Sequence, residues 1–193
     1  TTSAVAVYRV QAHAVATQLT ADPGAAITAT VWVTNTGNCV DTFALTATGA
    51  WPANVSATTG PLVSGAGVAV PVTVTIPASA LAGDAAMTTV KATSQANAAV
   101  SATAAVTTTA NAIYGVALSP QAASGNAGPG ETAIYTLTVA NTGNIADTYA
   151  FSVEGAAWPT TVAPLTTSLA PGAALSLTVT VVVPEGDAIA AYD

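Results

Sequence analysis

Apolar and polar residues alternate along this chain in short runs broken by Gly, Pro and Asn, as in Ala29-Thr30-Val31-Trp32-Val33-Thr34. A period of two sends successive side chains to opposite faces of an extended backbone, so each run reads as a half-buried β-strand. The pattern predicts strands near 4–14, 25–34, 40–48, 67–76, 86–94 and 99–109. Further strands are predicted near 112–119, 131–140, 146–154 and 173–183, with a weaker piece at 187–192. Short strands at close spacing, punctuated by turn residues, predict an all-β fold of the sandwich type.

The punctuation repeats. Asn35-Thr36-Gly37-Asn38-Cys39-Val40-Asp41-Thr42-Phe43 returns 106 residues later as Asn141-Thr142-Gly143-Asn144-Ile145-Ala146-Asp147-Thr148-Tyr149. At the same offset Asp22-Pro23-Gly24 matches Gly128-Pro129-Gly130 and Tyr8 matches Tyr114. After one inserted residue Trp51-Pro52 matches Trp158-Pro159, and Pro77 matches Pro184. Self-similarity at a fixed period is the mark of a tandem array. The expected organisation is two immunoglobulin-like antiparallel β-sandwich repeats, at 1–110 and 111–193.

The second copy is shorter. Beyond Gly83-Asp84 the first continues through two more predicted strands, whereas the second reaches Asp193, a deficit of about 20 residues. A sandwich without its last strands has an apolar groove and an unpaired edge, both costly in water. Thr1–Tyr8 also aligns with Thr107–Tyr114, the tail of the first unit running into the second. Two expectations follow: the sequence is a window on a longer array, or another subunit donates the missing strand.

Composition narrows the partners. Hydrophobic residues make up 51% of the chain and charged residues 6%, yet no run approaches the roughly 20 apolar residues of a spanning helix. Only Arg9 and Lys91 are basic against nine acids, a net charge of -7, which excludes the positive footprint that nucleic acid or an anionic membrane surface needs. Few lysines and many threonines suit a protein exposed outside the cell, although the N-terminus shows no basic start and long apolar core of a signal peptide. Cys39 is the lone cysteine, so stability rests on packing or association rather than an intrachain disulfide.

Candidate chemistry is sparse. Asn35, Gly37, Asn38, Asn141, Gly143 and Asn144 read as structural turn residues, with Gly37 and Gly143 expected to supply the positive φ of a tight hairpin. Asp41 and Asp147 are expected to cap loop amides: each unit has one carboxylate at this place and no Asp-x-Asp-x-Asp spacing, so no metal site is expected. Trp51 and Trp158 are expected to pack at one end of each sandwich, with a sugar-stacking platform as the functional alternative. Trp32, whose counterpart is Thr138, is expected in the core or at an interface. His13 is the single histidine and no nucleophile, base and orienting group can be assembled around it, so neither catalytic residues nor a cofactor are expected. Asn54-Val55-Ser56 is one glycosylation sequon in a predicted loop, making Asn54 a candidate glycan site.

The order Pro-Gly, alternating strand, Asn-Thr-Gly-Asn, Asp-Thr-Phe or Asp-Thr-Tyr, then Trp-Pro resembles the immunoglobulin-like repeats of bacterial and archaeal secreted and surface proteins. It is similar in particular to the sandwich domain family associated with α-galactosidases. The resemblance is strongest over Asp22–Phe43 and Gly128–Tyr149 and implies spacers, stalks and assembly modules. The expected function is therefore an extracellular structural repeat of a stalk, sheath or filament, with copies of itself or adjacent repeats, and glycans, as partners. The alternative is an accessory carbohydrate- or surface-binding module of a secreted hydrolase.

Overall fold

The computed structural model describes residues 2–186, and the strand expected at 187–192 lies outside them. The chain divides between Ala112 and Ile113 into two compact units. Among the described residues all regular structure is β, and no helix is long and apolar enough to cross a membrane.

Unit 1 holds nine strands: β1 (Val10–Ala14), β2 (Gln18–Ala21), β3 (Ala26–Asn35), β4 (Asp41–Gly49), β5 (Ala53–Val55), β6 (Thr58–Leu62), β7 (Gly67–Thr75), β8 (Ala85–Ser94) and β9 (Ser101–Ala110). They form two sheets, in the orders β1-β3-β7-β5 and β2-β9-β8-β4-β6. Alternation turns Ala29, Val31 and Val33 of β3 and Val70 and Val72 of β7 onto Phe43 and Leu45 of β4, Val90 and Ala92 of β8, and Ala104 and Val106 of β9. The two sheets thus share one core, in which each fully buried Val or Phe is worth about 1.5–3 kcal/mol. Pro71 is tolerated inside β7 because its neighbour Thr30 directs its backbone toward β1, where the Thr30 carbonyl accepts the Val15 amide. The Thr30–Pro71 pair therefore needs no amide hydrogen.

Three expectations about unit 1 are corrected. Only Val10–Ala14 of the segment 4–14 is a strand, because the residues before it are bound to a loop rather than to a sheet. Strands β2, β5 and β6 were not foreseen; at three to five residues they are too short for alternation to stand out. The sheets are also not antiparallel throughout. β2 runs parallel to β9, with Gln18 opposite Thr107 and Ala21 opposite Ala110, because the chain leaves β1 and crosses to the other sheet's edge within residues 15–17.

Unit 2 holds β10 (Val116–Ser119), β11 (Thr132–Asn141), β12 (Asp147–Ala150), β13 (Thr160–Ala163), β14 (Thr166–Leu169) and β15 (Ala174–Val182), in sheets β10-β11-β15-β13 and β12-β14. They reproduce β1, β3, β4, β5, β6 and β7 in order, and in register except where β4 shifts against β6 between Thr42 and Ala44, so that Ala44 faces Thr58 while Ala150 faces Thr166. Val10 faces Asn35 as Val116 faces Asn141, and Asp41 faces Leu62 as Asp147 faces Leu169. β13 and β14 escaped the sequence reading for the same reason as β5 and β6. Among the described residues β8 and β9 have no counterpart, and residues 124–127, which correspond to β2, form no strand. β12 ends at Ala150 rather than near 154, and among the described residues it pairs along one edge, with β14.

Candidate functional site

The Asn-Thr-Gly-Asn segments are not hairpin turns. β3 and β4 lie in different sheets, as do β11 and β12, so each segment arches from one sheet to the other. Nor do Gly37 and Gly143 have positive φ. Glycine is needed there for space: a Cβ on Gly37 would stand 2.3 Å from the Val7 carbonyl oxygen, and one on Gly143 would stand 2.3 Å from that of Ile113.

Each arch is fastened by its two asparagines. Asn35 is buried; its Nδ2 donates to the carbonyls of Cys39 (2.7 Å) and Leu62 (2.8 Å), while its Oδ1 accepts the Gly37 amide (2.9 Å). Asn141 does the same with Ile145 (2.8 Å), Leu169 (3.0 Å) and the Gly143 amide (2.9 Å). These bonds tie the end of one sheet to a strand of the other. Asn38 reaches outward: its Oδ1 accepts the Val7 amide at 2.7 Å and its Nδ2 donates to the Val5 carbonyl at 2.8 Å, mimicking a strand neighbour. Asn144 likewise accepts the Ile113 amide at 2.7 Å. The sequence located these residues but gave no sign of their distant partners, which lie up to 33 positions away.

The two aspartates diverge. Asp41 is buried; one carboxylate oxygen accepts the amides of Thr42 (2.8 Å) and Ala96 (3.4 Å), the other the Ser94 hydroxyl (2.5 Å). It caps loop amides as expected and also holds the end of β8. Asp147 is half-buried and accepts the Thr148 amide at 2.7 Å, with no strand in the place of β8 among the described residues. Beside it the Tyr149 hydroxyl donates to the Gly115 carbonyl at 3.0 Å. Desolvation raises the Tyr149 phenol above its ordinary value of 10.0, and the Asp147 charge adds to the shift.

Among the described residues the inner face of unit 2 around Asp147 is open. Phe43, Val31 and Val72 are fully buried in unit 1, whereas their counterparts Tyr149, Leu137 and Val179 are half-buried. Val116 and Leu118 are 59% and 47% exposed where the equivalent Val10 and Ala12 pack against the core. Leu118, Tyr135, Leu137 and Val179 line an open hollow with Pro120. All four apolar positions face the core in the first unit. The open face is the ground that β8 and β9 cover there.

The remaining candidates lie apart. Trp51 packs against Ile76, Ala80 and Ala110 at one end of unit 1, as expected, but Trp158 is 42% exposed. Trp32 is 39% exposed rather than in the core; it stands across from His13 and over Gly67 on the outer face of its sheet. Asn54 is exposed on the short edge strand β5, not in a loop. Among the described residues no three His, Cys, Asp or Glu side chains come together.

No family model and no curated protein matches the chain. Among solved structures it is similar to the secreted serine protease VesC from Vibrio cholerae, at 14% identity and a TM-score of 0.36, over 95% of this chain and 47% of that one. It is similar to a protein of unknown function from Porphyromonas gingivalis W83, at 13% identity and 0.36, over 91% and 83%. The YadV chaperone is similar at 13% identity and 0.36, over 87% and 84%. The chain thus spans about half the length of the VesC protein, and likeness at this level says nothing of activity or partners.

Proposed function

We propose that the chain is an extracellular, non-enzymatic assembly module: two tandem immunoglobulin-like sandwiches serving as repeats of a surface stalk, sheath or filament. The supporting observation is that, among the described residues, β12 pairs with β14 alone, and the counterparts of apolar residues buried in the first unit stand half-exposed. Exposed strand edges beside apolar surface are the ordinary means by which β-proteins join. Surface chemistry fits the same reading. With 6% charged residues, threonine, serine and asparagine form most of the polar cover, and Asn54 is placed to carry a glycan.

The second reading, an accessory carbohydrate- or surface-binding module, draws on Trp158, whose ring is accessible for stacking. Its counterpart Trp51 is committed to the core of unit 1, so the platform is not repeated. Negative-stain microscopy and intact mass of native material test the two. Fibres, sheaths or regular end-on arrays are expected; discrete particles that bind polysaccharide would favour the second reading.

A further inference from the structure

We infer that the outer face of the β1-β3-β7-β5 sheet in unit 1 is a binding site for an acidic sugar, with Trp32 under the sugar ring and Arg9 on its carboxylate. The inference goes beyond the assembly reading and does not depend on it.

The site is built by alternation on β1, which turns Val10, Ala12 and Ala14 to the core and leaves Arg9, Gln11 and His13 exposed in a row outside. The register with β3 sets His13 opposite Trp32 and Gln11 opposite Thr34, and the Arg9 carbonyl continues it by accepting the Thr36 amide. The Trp32 indole leans the other way, onto β7: a Cβ on Gly67 would stand 2.5 Å from its Nε1. Glycine thus gives the ring a seat, and 39% of Trp32 stays open to solvent. Because β1 and β7 flank β3, the row and the seat lie about 10 Å apart across the sheet. An arginine side chain and one sugar ring fill that span between them.

The second unit shows that the fold does not require these residues. In equal register it has Gly115, Ala117 and Ser119 for Arg9, Gln11 and His13, Thr138 for Trp32, and Ala174 for Gly67. Five differences fall on one face of one sheet, while the arch asparagines are the same in both units. Together the five supply what a sugar needs: an aromatic plane for its C–H face, and amide and imidazole groups for its hydroxyls. Charge selects the acidic class. Arg9, His13 and Lys91 are the only basic side chains of the chain, all in unit 1, and two of them share this face. The four strands of the sheet contain no Asp or Glu to compete for them. A single guanidinium matches one carboxylate through two parallel hydrogen bonds, whereas a nucleic acid needs a far wider positive field.

The test uses the full chain and oligosaccharides of glucuronate, galacturonate and N-acetylneuraminate, each beside a neutral form with its carboxyl groups esterified, with binding read by titration calorimetry. At least one acidic probe is expected to bind, and its neutral form to bind roughly tenfold more weakly or worse. Arg9→Gln is expected to bring the acidic probe down to the affinity of the neutral one. Trp32→Thr places the second unit's residue in the same register, so the fold is retained, and it is expected to remove binding. Trp32→Tyr keeps an aromatic plane and is expected to preserve it, and Lys91→Gln, on the other sheet, to change nothing. Failure of every acidic probe would overturn the inference, as would equal binding of the neutral forms or preference for an acidic peptide over all the sugars. So would binding that is lost in Trp158→Ala and kept in Trp32→Thr. Fibres seen by microscopy report on the assembly reading separately, so that reading survives a failure here.

Discussion

The buried asparagine of each arch gives a prediction whose size follows from its bonds. Asn35→Ala removes two donors and one acceptor at once, leaving the Cys39 and Leu62 carbonyls and the Gly37 amide without their partners in a buried setting. An unsatisfied buried group costs about 1–3 kcal/mol. With partial relaxation toward water, the three together should cost unit 1 about 3 kcal/mol. Asn38→Ala breaks bonds of similar length, but on an exposed side chain whose partners water can reach, and should cost about 0.5–1 kcal/mol. Urea unfolding followed by tryptophan fluorescence separates the units, since Trp51 packs in unit 1 and Trp158 belongs to unit 2. At a slope of about 1 kcal/mol per molar urea, Asn35→Ala lowers the first transition by roughly 3 M. Asn141→Ala should move the second transition and leave the first in place. Equal effects of Asn35→Ala and Asn38→Ala, or a loss below about 1 kcal/mol for the former, would refute the view that this side chain fastens the two sheets.

Gly37→Ala should cost more than about 2 kcal/mol because its Cβ meets the Val7 carbonyl, whereas Gly65→Ala, at φ +78° in open space, should cost only about 1 kcal/mol; thermal melts that rank them the other way would exclude close approach as the reason for glycine. Thr88 and Thr108 are fully buried with hydroxyls that find no hydrogen-bond partner, so Thr88→Val and Thr108→Val should each stabilise unit 1 by about 1 kcal/mol, and a loss of stability in the same melts would contradict this. Because the folded Tyr149 phenol titrates above its unfolded value, its contribution is complete below about pH 10 and is lost as pH rises through the folded value. Unit 2 should weaken in that alkaline window, and Tyr149→Phe should abolish this part of the dependence; an unchanged alkaline profile in the variant would show that another group is responsible.

Much of the fold was legible because alternation is strong where a strand is long and one face is buried. β3, β7, β8, β9, β11 and β15, each of nine or ten residues, fell within two residues of their predicted places. The short edge strands did not, since three to five residues hold too few alternations to distinguish a strand from a loop. The repeat marked the arch residues, and a turn was a fair reading of Asn-Thr-Gly-Asn, but hairpin and arch differ only in which sheet the next strand joins. That choice is made by Phe43 and Leu45, which must face Val31 and Val33 across the core rather than lie beside them. Asp41 showed the same limit: its proximity to the turn was visible, while Ser94, 53 residues away, was brought to it only by the pairing of β4 with β8.

The parallel contact of β2 with β9 gives unit 1 a mechanical character. β2 lies near the entry of the chain into the unit and β9 at its exit, joined over four residue pairs. The joint is lengthened by the Thr107 amide on the Thr17 carbonyl, the Asn111 amide on that of Ala21, and the Asn111 side chain on Asp22. Because the strands run the same way, tension drawn through the unit pulls them in opposite senses along their common axis. The bonds are then loaded side by side and must yield together, in shear, instead of opening one at a time like a zipper. A module that bears its load in this way resists extension out of proportion to the few bonds involved.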